Sequence, residues 1–277
     1  MAILRFVQRA AVAMDAGDVE GLTALLHVHP ELATARLTEV GVPAHAYCVG
    51  PTLLHLVANN PNRTPTMPPR ILESAQVLLA AGAVVDAPTL DPGGATPLAL
   101  VASSGPARCD GMQVPLIELL VAHGADPARA LPAAIHERCP EAAAALVRLG
   151  APATLLSAAG MGDEPTLMRR LAAASPSELM EAAATAVAHG HAAFLVRLLD
   201  AGIALNAPIP RHPYQPTLLH QAGSFGQLEV ARLLLDRGAD PTRRDSRFNG
   251  TPAEWAREGG HATIAEMIDG AIRPLST

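Results

Sequence analysis

The sequence predicts an all-α fold, an α-solenoid in which helix-turn-helix repeats stack and short β-hairpin-like fingers connect them. Three observations lead to this prediction. Leu-rich helical segments end in similar glycine tracts, similar Thr-Leu or Thr-Pro segments begin them, and 49% of the residues are hydrophobic although only 3% are aromatic. A core of Ala, Leu, Val and Ile suits helices that stack at short range.

A glycine tract is predicted to end most of the repeats. The glycines that follow the Leu-rich segments are Gly82, Gly124, Gly150, Gly202 and Gly238. Glycine directly after the last helical turn adopts the left-handed conformation easily, and a proline soon afterwards keeps the helix from resuming. The spacing is irregular, but the last interval of 36 residues is close to a known repeat period of about 33 residues.

A second recurring segment marks where repeats begin. It reads Thr52-Leu53-Leu54-His55, Thr96-Pro97-Leu98-Ala99, Thr217-Leu218-Leu219-His220 and Thr251-Pro252-Ala253-Glu254. The Thr hydroxyl can cap a helix, Pro fits the first turn, and Leu fills the core. These segments resemble the Thr-Pro-Leu-His opening of ankyrin repeats, and residues 217–241 resemble a complete one. The resemblance implies that the two histidines bond to the backbone of a neighbouring repeat.

On this basis we expect a single bacterial-type ankyrin-repeat domain over residues 1–277. Eight degenerate repeats are expected at 1–36, 51–87, 96–129, 131–152, 153–175, 176–206, 216–242 and 250–273. The first and last should cap the stack. Repeats four to six depart most from the family, because they lack the Thr-Pro opening and are rich in alanine.

Composition limits the possible functions. All 20 basic residues are Arg, which excludes enzymes that need a catalytic or phosphate-binding Lys. The net charge of -6 argues against nucleic-acid binding. An N-terminus interrupted by Arg5, Arg9 and Asp15, with no long apolar run elsewhere, predicts a cytoplasmic protein without a membrane span. Three cysteines without a CxxC pair predict reduced thiols, and we expect no metal and no cofactor.

Insertions relative to a minimal repeat are the places where a partner is expected to bind, since extra residues in a tight repeat map to loops. Five are visible, at 37–50, 59–70, 103–114, 206–215 and 243–250. The second and third are expected to pack on each other. Arg and aromatic residues are enriched at the energetic centres of interfaces, although exposed arginines are expected everywhere in this chain. The candidate partner-binding residues are His45, Tyr47, Arg63, Arg211, His212, Tyr214, Arg243, Arg244 and Phe248.

The resemblance implies an intracellular scaffold, adaptor or inhibitor that binds an unidentified protein through its fingers and inner helices. A role in neutralising a toxin would also consist of binding a protein, so it belongs to the same prediction. The alternative is a small-molecule or catalytic site in the shortened middle repeats, near His136 and His189. A catalytic dyad of Cys139 with His136 is not favoured, because nothing in the sequence indicates a lowered thiol pKa. Trp255 is expected to cover the last core.

Overall fold

The computed structural model describes residues 2–37 and 48–272, with side chains from residue 5 onward. In this part of the chain the regular structure is helical, and the only strand-like pairing is an isolated antiparallel bridge between Arg36 and Thr52. The all-α class is therefore confirmed. The chain divides into two compact units, Met1–Pro152 and Ala153–Thr277, called here the N-terminal and C-terminal units. That 1–277 is a single domain stays a prediction.

The N-terminal unit consists of helices that follow one another in pairs. They are α1 (Ala2–Ala16), α2 (Val19–Val28), a 3-10 helix (Leu53–Ala58), α3 (Ile71–Ala80), α4 (Pro97–Ala102), the short α5 (Gly105–Cys109), α6 (Gln113–Ala122), α7 (Pro127–His136) and α8 (Pro140–Arg148). A further 3-10 turn spans Pro30–Ala33. The first helix of one pair packs on the first helix of the next, and the second helices do the same.

The C-terminal unit repeats this arrangement. Its helices are α9 (Leu155–Met161), α10 (Glu164–Arg170), α11 (Pro176–His189), α12 (Ala192–Asp200), α13 (Leu218–Ser224), α14 (Leu228–Asp236), α15 (Pro252–Glu258) and α16 (Ala262–Ile272), with a 3-10 turn at Leu171–Ala173. Helices α9, α11, α13 and α15 contact one another in sequence, and α12, α14 and α16 lie beside them. The buried core is mainly Ala, Leu, Ile and Val, with Phe194 as its largest fully buried side chain.

Helix ends follow the sequence prediction. The five glycines that were expected to stop helices all have positive φ, between 84° and 114°. The hydroxyl of Thr96 accepts a hydrogen bond from Ala99 N–H, and that of Thr251 accepts one from Glu254 N–H. Caps are also present in the middle of the chain, where the sequence lacks the family opening: Asp126, Thr154 and Ser175 each accept a hydrogen bond from the first turn of α7, α9 and α11.

One expected boundary is misplaced. The fourth repeat was expected to begin at residue 131, but α7 begins at Pro127. Asp126 and Pro127 were interpreted as the end of the third repeat because similar residues follow the glycine at 238. Here the Asp126 carboxylate accepts a hydrogen bond from Ala128 N–H at 2.9 Å, so the same dipeptide starts a helix.

The second and third insertions pack on each other, as expected. The side-chain amide of Asn60 donates to the Ser103 hydroxyl at 3.0 Å, and the Met67 N–H donates to a carboxylate oxygen of Asp110 at 2.7 Å. The third insertion also contains α5. The two insertions therefore hold each other in place.

Two fingers lie in the C-terminal unit, and we call them the Tyr214 finger (206–215) and the Phe248 finger (243–250). Each is closed by a backbone hydrogen bond, from Ile209 N–H to Pro216 O at 2.8 Å and from Asp245 N–H to Gly250 O at 3.0 Å. A third bond, from Ser246 N–H to Tyr214 O at 2.9 Å, joins the two fingers. They therefore present a shared surface.

Candidate functional site

The histidines of the recurring Thr-Leu-Leu-His segments have structural roles. Thr52 N–H donates to Nδ1 of His55 at 3.0 Å, so the other ring nitrogen, Nε2, carries the proton and donates to Ala95 O at 3.2 Å. His220 makes the equivalent bonds, to Thr217 and to Gly250 O. These bonds confirm what the family resemblance implies. In the second case, the acceptor is the residue that closes the Phe248 finger.

Burial shifts the pKa of both histidines downward. It lowers the pKa of His55 from 6.5 to about 4, and the hydrogen bond to Ala95 only partly opposes this. Burial also lowers the pKa of His220, and the positive charge of Arg243 lowers it slightly further. Both side chains are neutral at pH 7, which suits their role as bridges between helix pairs.

An aromatic cluster connects the two fingers to α15. Its rings belong to His212 and Tyr214 from one finger, Phe248 from the other, and Trp255 from the helix. The Tyr214 ring is in edge contact with Phe248 at 5.2 Å, with His212 at 5.4 Å and with Trp255 at 6.5 Å between centroids. Edge contacts of this kind stabilise aromatic pairs beyond the area they bury. The cluster is therefore a defined arrangement of rings.

A guanidinium group lies on this cluster. The Cζ atom of Arg247 is 5.3 Å from the ring centre of Tyr214 and 5.6 Å from that of Phe248. Both distances are within the range of a cation–π interaction. Phe248 remains 65% exposed, so its ring does not pack beneath the finger that carries it.

The buried carboxylate of Asp245 holds the Phe248 finger in place. Its Oδ1 accepts hydrogen bonds from the backbone N–H groups of Arg247 and Phe248, at 2.8 and 2.7 Å, and its Oδ2 accepts from Gly250 N–H at 2.8 Å and from the indole Nε1 of Trp255 at 3.0 Å. Burial by itself would raise the pKa of Asp245, but the donors outweigh it and lower this pKa to about 2. The ionised carboxylate thus fixes both the finger and the indole.

Beside the cluster lies an open groove of about 690 Å³, which we call the aromatic groove. Its walls are formed by Tyr214, Ser224, Phe248, Asn249, Gly250, Glu254, Trp255 and Glu258. Three aromatic side chains and two carboxylates thus surround one space. Trp255 was expected to cover the last core; its ring packs edge-on against the buried His220 at 5.4 Å between centroids, and it also contacts the fingers and lines the groove.

Three arginine candidates that the sequence placed on these fingers are exposed and do not belong to the aromatic cluster. Arg211 is 86% exposed and its Nη1 is 3.6 Å from Glu181. Arg244 donates to Asn249 O and lies 3.9 Å from Glu254. Arg243 is exposed on the same finger. Within the described part of the chain, these arginines make no recorded contact with the rings of the cluster, whereas His212, Tyr214 and Phe248 belong to it.

The remaining candidates do not join this site. His45 and Tyr47 lie outside the described residues. Arg63 was expected to contact a partner, but only 8% of its side chain is exposed, and it forms an ion pair with Asp15 at 2.8 Å and donates to Leu56 O. The expectation for Arg63 is wrong, because the insertion folds back onto α1 and buries the guanidinium.

The alternative site near His136 and His189 gains no support from the placement of these residues. The side chain of His136 is 85% exposed and lies 3.9 Å from Glu137. His189 ends α11 and stacks on His191, whose Nε2 is 3.2 Å from Gly160 O. Neither residue lines the aromatic groove or the second open groove, which lies between α1 and α2 and has a volume of about 840 Å³.

The sulfur of Cys139 is buried and contacts Arg108 at 3.4 Å and the carbonyl oxygen of Glu137 at 3.5 Å. The described cysteines are free thiols. Among the described residues, no group of three His, Cys, Asp or Glu side chains is placed to hold a metal ion. In the same part of the chain, no helix has the length and hydropathy needed to span a bilayer.

Sequence reasoning missed two essential residues of the site. Asp245 was not singled out, although an Asp followed two to five residues later by Arg247, Phe248 and Gly250 is typical of a loop whose carboxylate binds its own backbone. Arg247 is not among the predicted candidates either, because nothing in a chain rich in arginine distinguishes the one that stacks on a ring.

Comparison with known proteins gives one family and one group of relatives. Residues 217–246 match the model of the ankyrin repeat. The chain is similar to the ARF GTPase-activating protein GIT2 of Mus musculus, Homo sapiens and Rattus norvegicus, with 38% identity over 84 residues in each case. That match covers 30% of this chain and 11% of each relative. The chain therefore carries an ankyrin repeat at residues 217–246, which supports the family that its sequence predicts.

Proposed function

We propose that this chain is an intracellular protein-binding scaffold, adaptor or inhibitor of the ankyrin-repeat type, and that its fingers contact the partner. Ankyrin repeats in general are non-catalytic modules that bind proteins. In the proposal, the stacked helix pairs of the C-terminal unit support its two fingers. The activity named for the GTPase-activating relatives is not part of the proposal, because the similar segment is 11% of their length.

The observation that supports the proposal best is the exposed aromatic surface of the two C-terminal fingers. Phe248 is a large hydrophobic side chain with 65% of its surface in water, and it lies beside Tyr214, Trp255 and Arg247. Trp, Tyr and Arg dominate the binding energy of protein interfaces. An exposed group of such residues is otherwise unfavourable in water, so it favours a surface that a partner covers.

The order of this surface is a second argument. Four hydrogen bonds to Asp245 and the bond from Ser246 to Tyr214 hold the fingers before a partner arrives. A surface that is already ordered loses less conformational entropy on binding than a flexible loop does. The fingers are therefore suited to specific recognition.

The test is an affinity capture from the native cell after chemical cross-linking, with quantification by mass spectrometry. The wild-type chain is compared with Phe248→Ser and with Tyr214→Ser, and Met168→Ser serves as the matched control because Met168 is 62% exposed in the same unit but lies on α10. We expect the same protein to be recovered with the wild type and the control, and its recovery to fall at least tenfold with either finger variant.

Equal recovery by all four proteins would contradict a role of the fingers. Recovery of no protein specific to the wild type, with the folded chain verified by circular dichroism, would contradict the scaffold function itself. Fractionation of the source cells tests the intracellular location separately.

A further inference from the structure

The aromatic groove combines two features on one surface. Tyr214, Phe248 and Trp255 supply aromatic rings, and Glu254 and Glu258 supply carboxylates. Ring faces are electron-rich and attract cations, and carboxylates attract them as well. Both features therefore favour a positively charged group over a neutral or anionic one.

The carboxylates are available for such a group to different degrees. Glu254 accepts a hydrogen bond from Thr251 N–H at 2.7 Å, which is the main reason its pKa is lowered, so it is ionised at neutral pH. Its Oε2 also lies 3.9 Å from Arg244. Glu258, one turn further along α15, is exposed and has no ion-pair partner within the described residues. The groove thus offers the carboxylate of Glu258, which no ion pair among the described residues occupies.

The chain itself shows which cation these rings accept. The guanidinium of Arg247 lies over Tyr214 and Phe248 at 5.3 and 5.6 Å, yet Arg247 is not among the residues that line the groove. Arg247 therefore does not fill the groove, whose open space beside Trp255 is left for another group. A planar guanidinium stacks on rings and binds carboxylates with two parallel hydrogen bonds, whereas an ammonium group is compact and strongly hydrated.

We propose that the aromatic groove binds an arginine side chain displayed on the surface of the partner protein. The proposal rests on the protein-binding function proposed above and names the chemistry that this site recognises. The guanidinium stacks against the rings of Trp255 and its neighbours while Glu258 and Glu254 bind its N–H groups. The aliphatic part of the arginine covers apolar ring surface.

Trp255 is the only tryptophan of the chain, so its fluorescence reports on the groove alone. The full-length chain is titrated with the peptide acetyl-Gly-Gly-Arg-Gly-Gly-amide at about 50 mM salt, where charge interactions are weakly screened. Two matched peptides carry citrulline, which has the shape of arginine without its charge, or lysine. We expect a saturable change of Trp255 emission with the arginine peptide and at least fivefold weaker binding of both others.

Equal binding of the citrulline peptide, or no saturable change with the arginine peptide, would overturn the proposal. Tighter binding of the lysine peptide would overturn the choice of arginine. A change of Trp255 emission on concentrating the chain without peptide, matched by self-association in sedimentation, would show that a second copy of this arginine-rich chain occupies the groove, which would overturn the assignment to another protein.

Variants test the part played by the carboxylates. Glu254→Gln combined with Glu258→Gln removes the charges, and a glutamine at position 254 can still cap α15. We expect this double variant to bind the arginine peptide at least threefold more weakly. Glu266→Gln, an exposed position on α16 outside the groove, is the matched control and should bind as the wild type does. Undiminished binding by a folded double variant would refute the role of the carboxylates.

The peptide titration needs no knowledge of the partner, so its result is independent of the capture experiment. If the finger variants lose the captured protein while the arginine peptide fails to bind, the proposed function stands and the arginine site is wrong. If the peptide binds as expected while no protein is captured, the arginine site stands and the scaffold function is wrong.

Discussion

The indole Nε1 of Trp255 donates a hydrogen bond of 3.0 Å to the Oδ2 atom of Asp245. This bond joins the first turns of α15 to the Phe248 finger that precedes it, and the same oxygen accepts from Gly250 N–H. A single carboxylate therefore sets both the shape of the finger and the position of the ring that lines the aromatic groove.

Replacing Asp245 by Asn should lower the free energy of unfolding by about 3 kcal/mol. The amide NH₂ group would take the place of one carboxylate oxygen and would face hydrogen-bond donors, so buried N–H groups would lose their acceptor. Urea denaturation followed by the fluorescence of Trp255 measures the loss. The same substitution should weaken binding of the arginine peptide, since the indole loses its partner.

Asp236→Asn is the control for this change. Asp236 ends α14, is exposed, and should affect the free energy of unfolding by less than about 0.5 kcal/mol. A loss at position 245 no larger than that at position 236 would show that the carboxylate does not organise the finger.

The folded chain should lose stability as the pH falls from about 6.5 to 4. The folded pKa of His55 is about 4, below the value of 6.5 expected in the unfolded chain, so the unfolded state binds a proton first. Its contribution to stability is complete above pH 6.5 and is lost on acidification, by about 3 kcal/mol at most. His220, whose pKa is also lowered, acts in the same direction.

Denaturation in urea at a series of pH values measures this dependence. His55→Asn should unfold more easily at pH 7, because the bond to Ala95 is lost, and should show a shallower dependence on pH between 6.5 and 4. Arg36 and Asp91 also act on this histidine and remain in the variant. An unchanged slope would contradict the assignment.

The ion pair between Arg63 and Asp15 should matter for stability and not for binding. Arg63→Met leaves a half-buried carboxylate without its partner and should cost about 2 kcal/mol, less than for a fully buried pair because 31% of the Asp15 side chain is exposed. The double variant with Asp15→Leu should recover part of this loss. The single variant should still capture the partner, which would be inconsistent with Arg63 as a contact residue.

Alanine substitutions at two glycines distinguish the cost of backbone strain from the cost of a steric clash. Gly226 and Gly238 have φ of +74° and +88°, so alanine at either position is strained. A Cβ atom at Gly226 would lie 2.6 Å from the ring of His261, whereas nothing lies within 4 Å at Gly238. We expect Gly238→Ala to cost about 1 kcal/mol and Gly226→Ala about 1 kcal/mol more. Thermal unfolding of both variants tests this, and equal costs would show that the imidazole moves aside freely.

Much of the fold follows from local residues. The glycines that end helices, the threonines that begin them and the two histidines that bridge helix pairs act through contacts with residues close in sequence or at a regular spacing, so their roles are visible in the chain. The expected boundary at residue 131 failed for a local reason, because Asp126 and Pro127 are compatible with the end of one repeat and with the start of the next.

The site depended on contacts that sequence spacing does not show. The sequence alone determined that the fingers carry Tyr214, Phe248 and several arginines, since these are insertions in a repeat pattern. Only the tertiary structure decided which of them form a surface: it buried Arg63 against Asp15, stacked Arg247 on two rings, and turned Trp255 towards Asp245. In the sequence, one arginine cannot be distinguished from another, and the same holds for the aromatic residues. Their burial and ring contacts distinguish them, and these arise only when segments distant along the chain pack together.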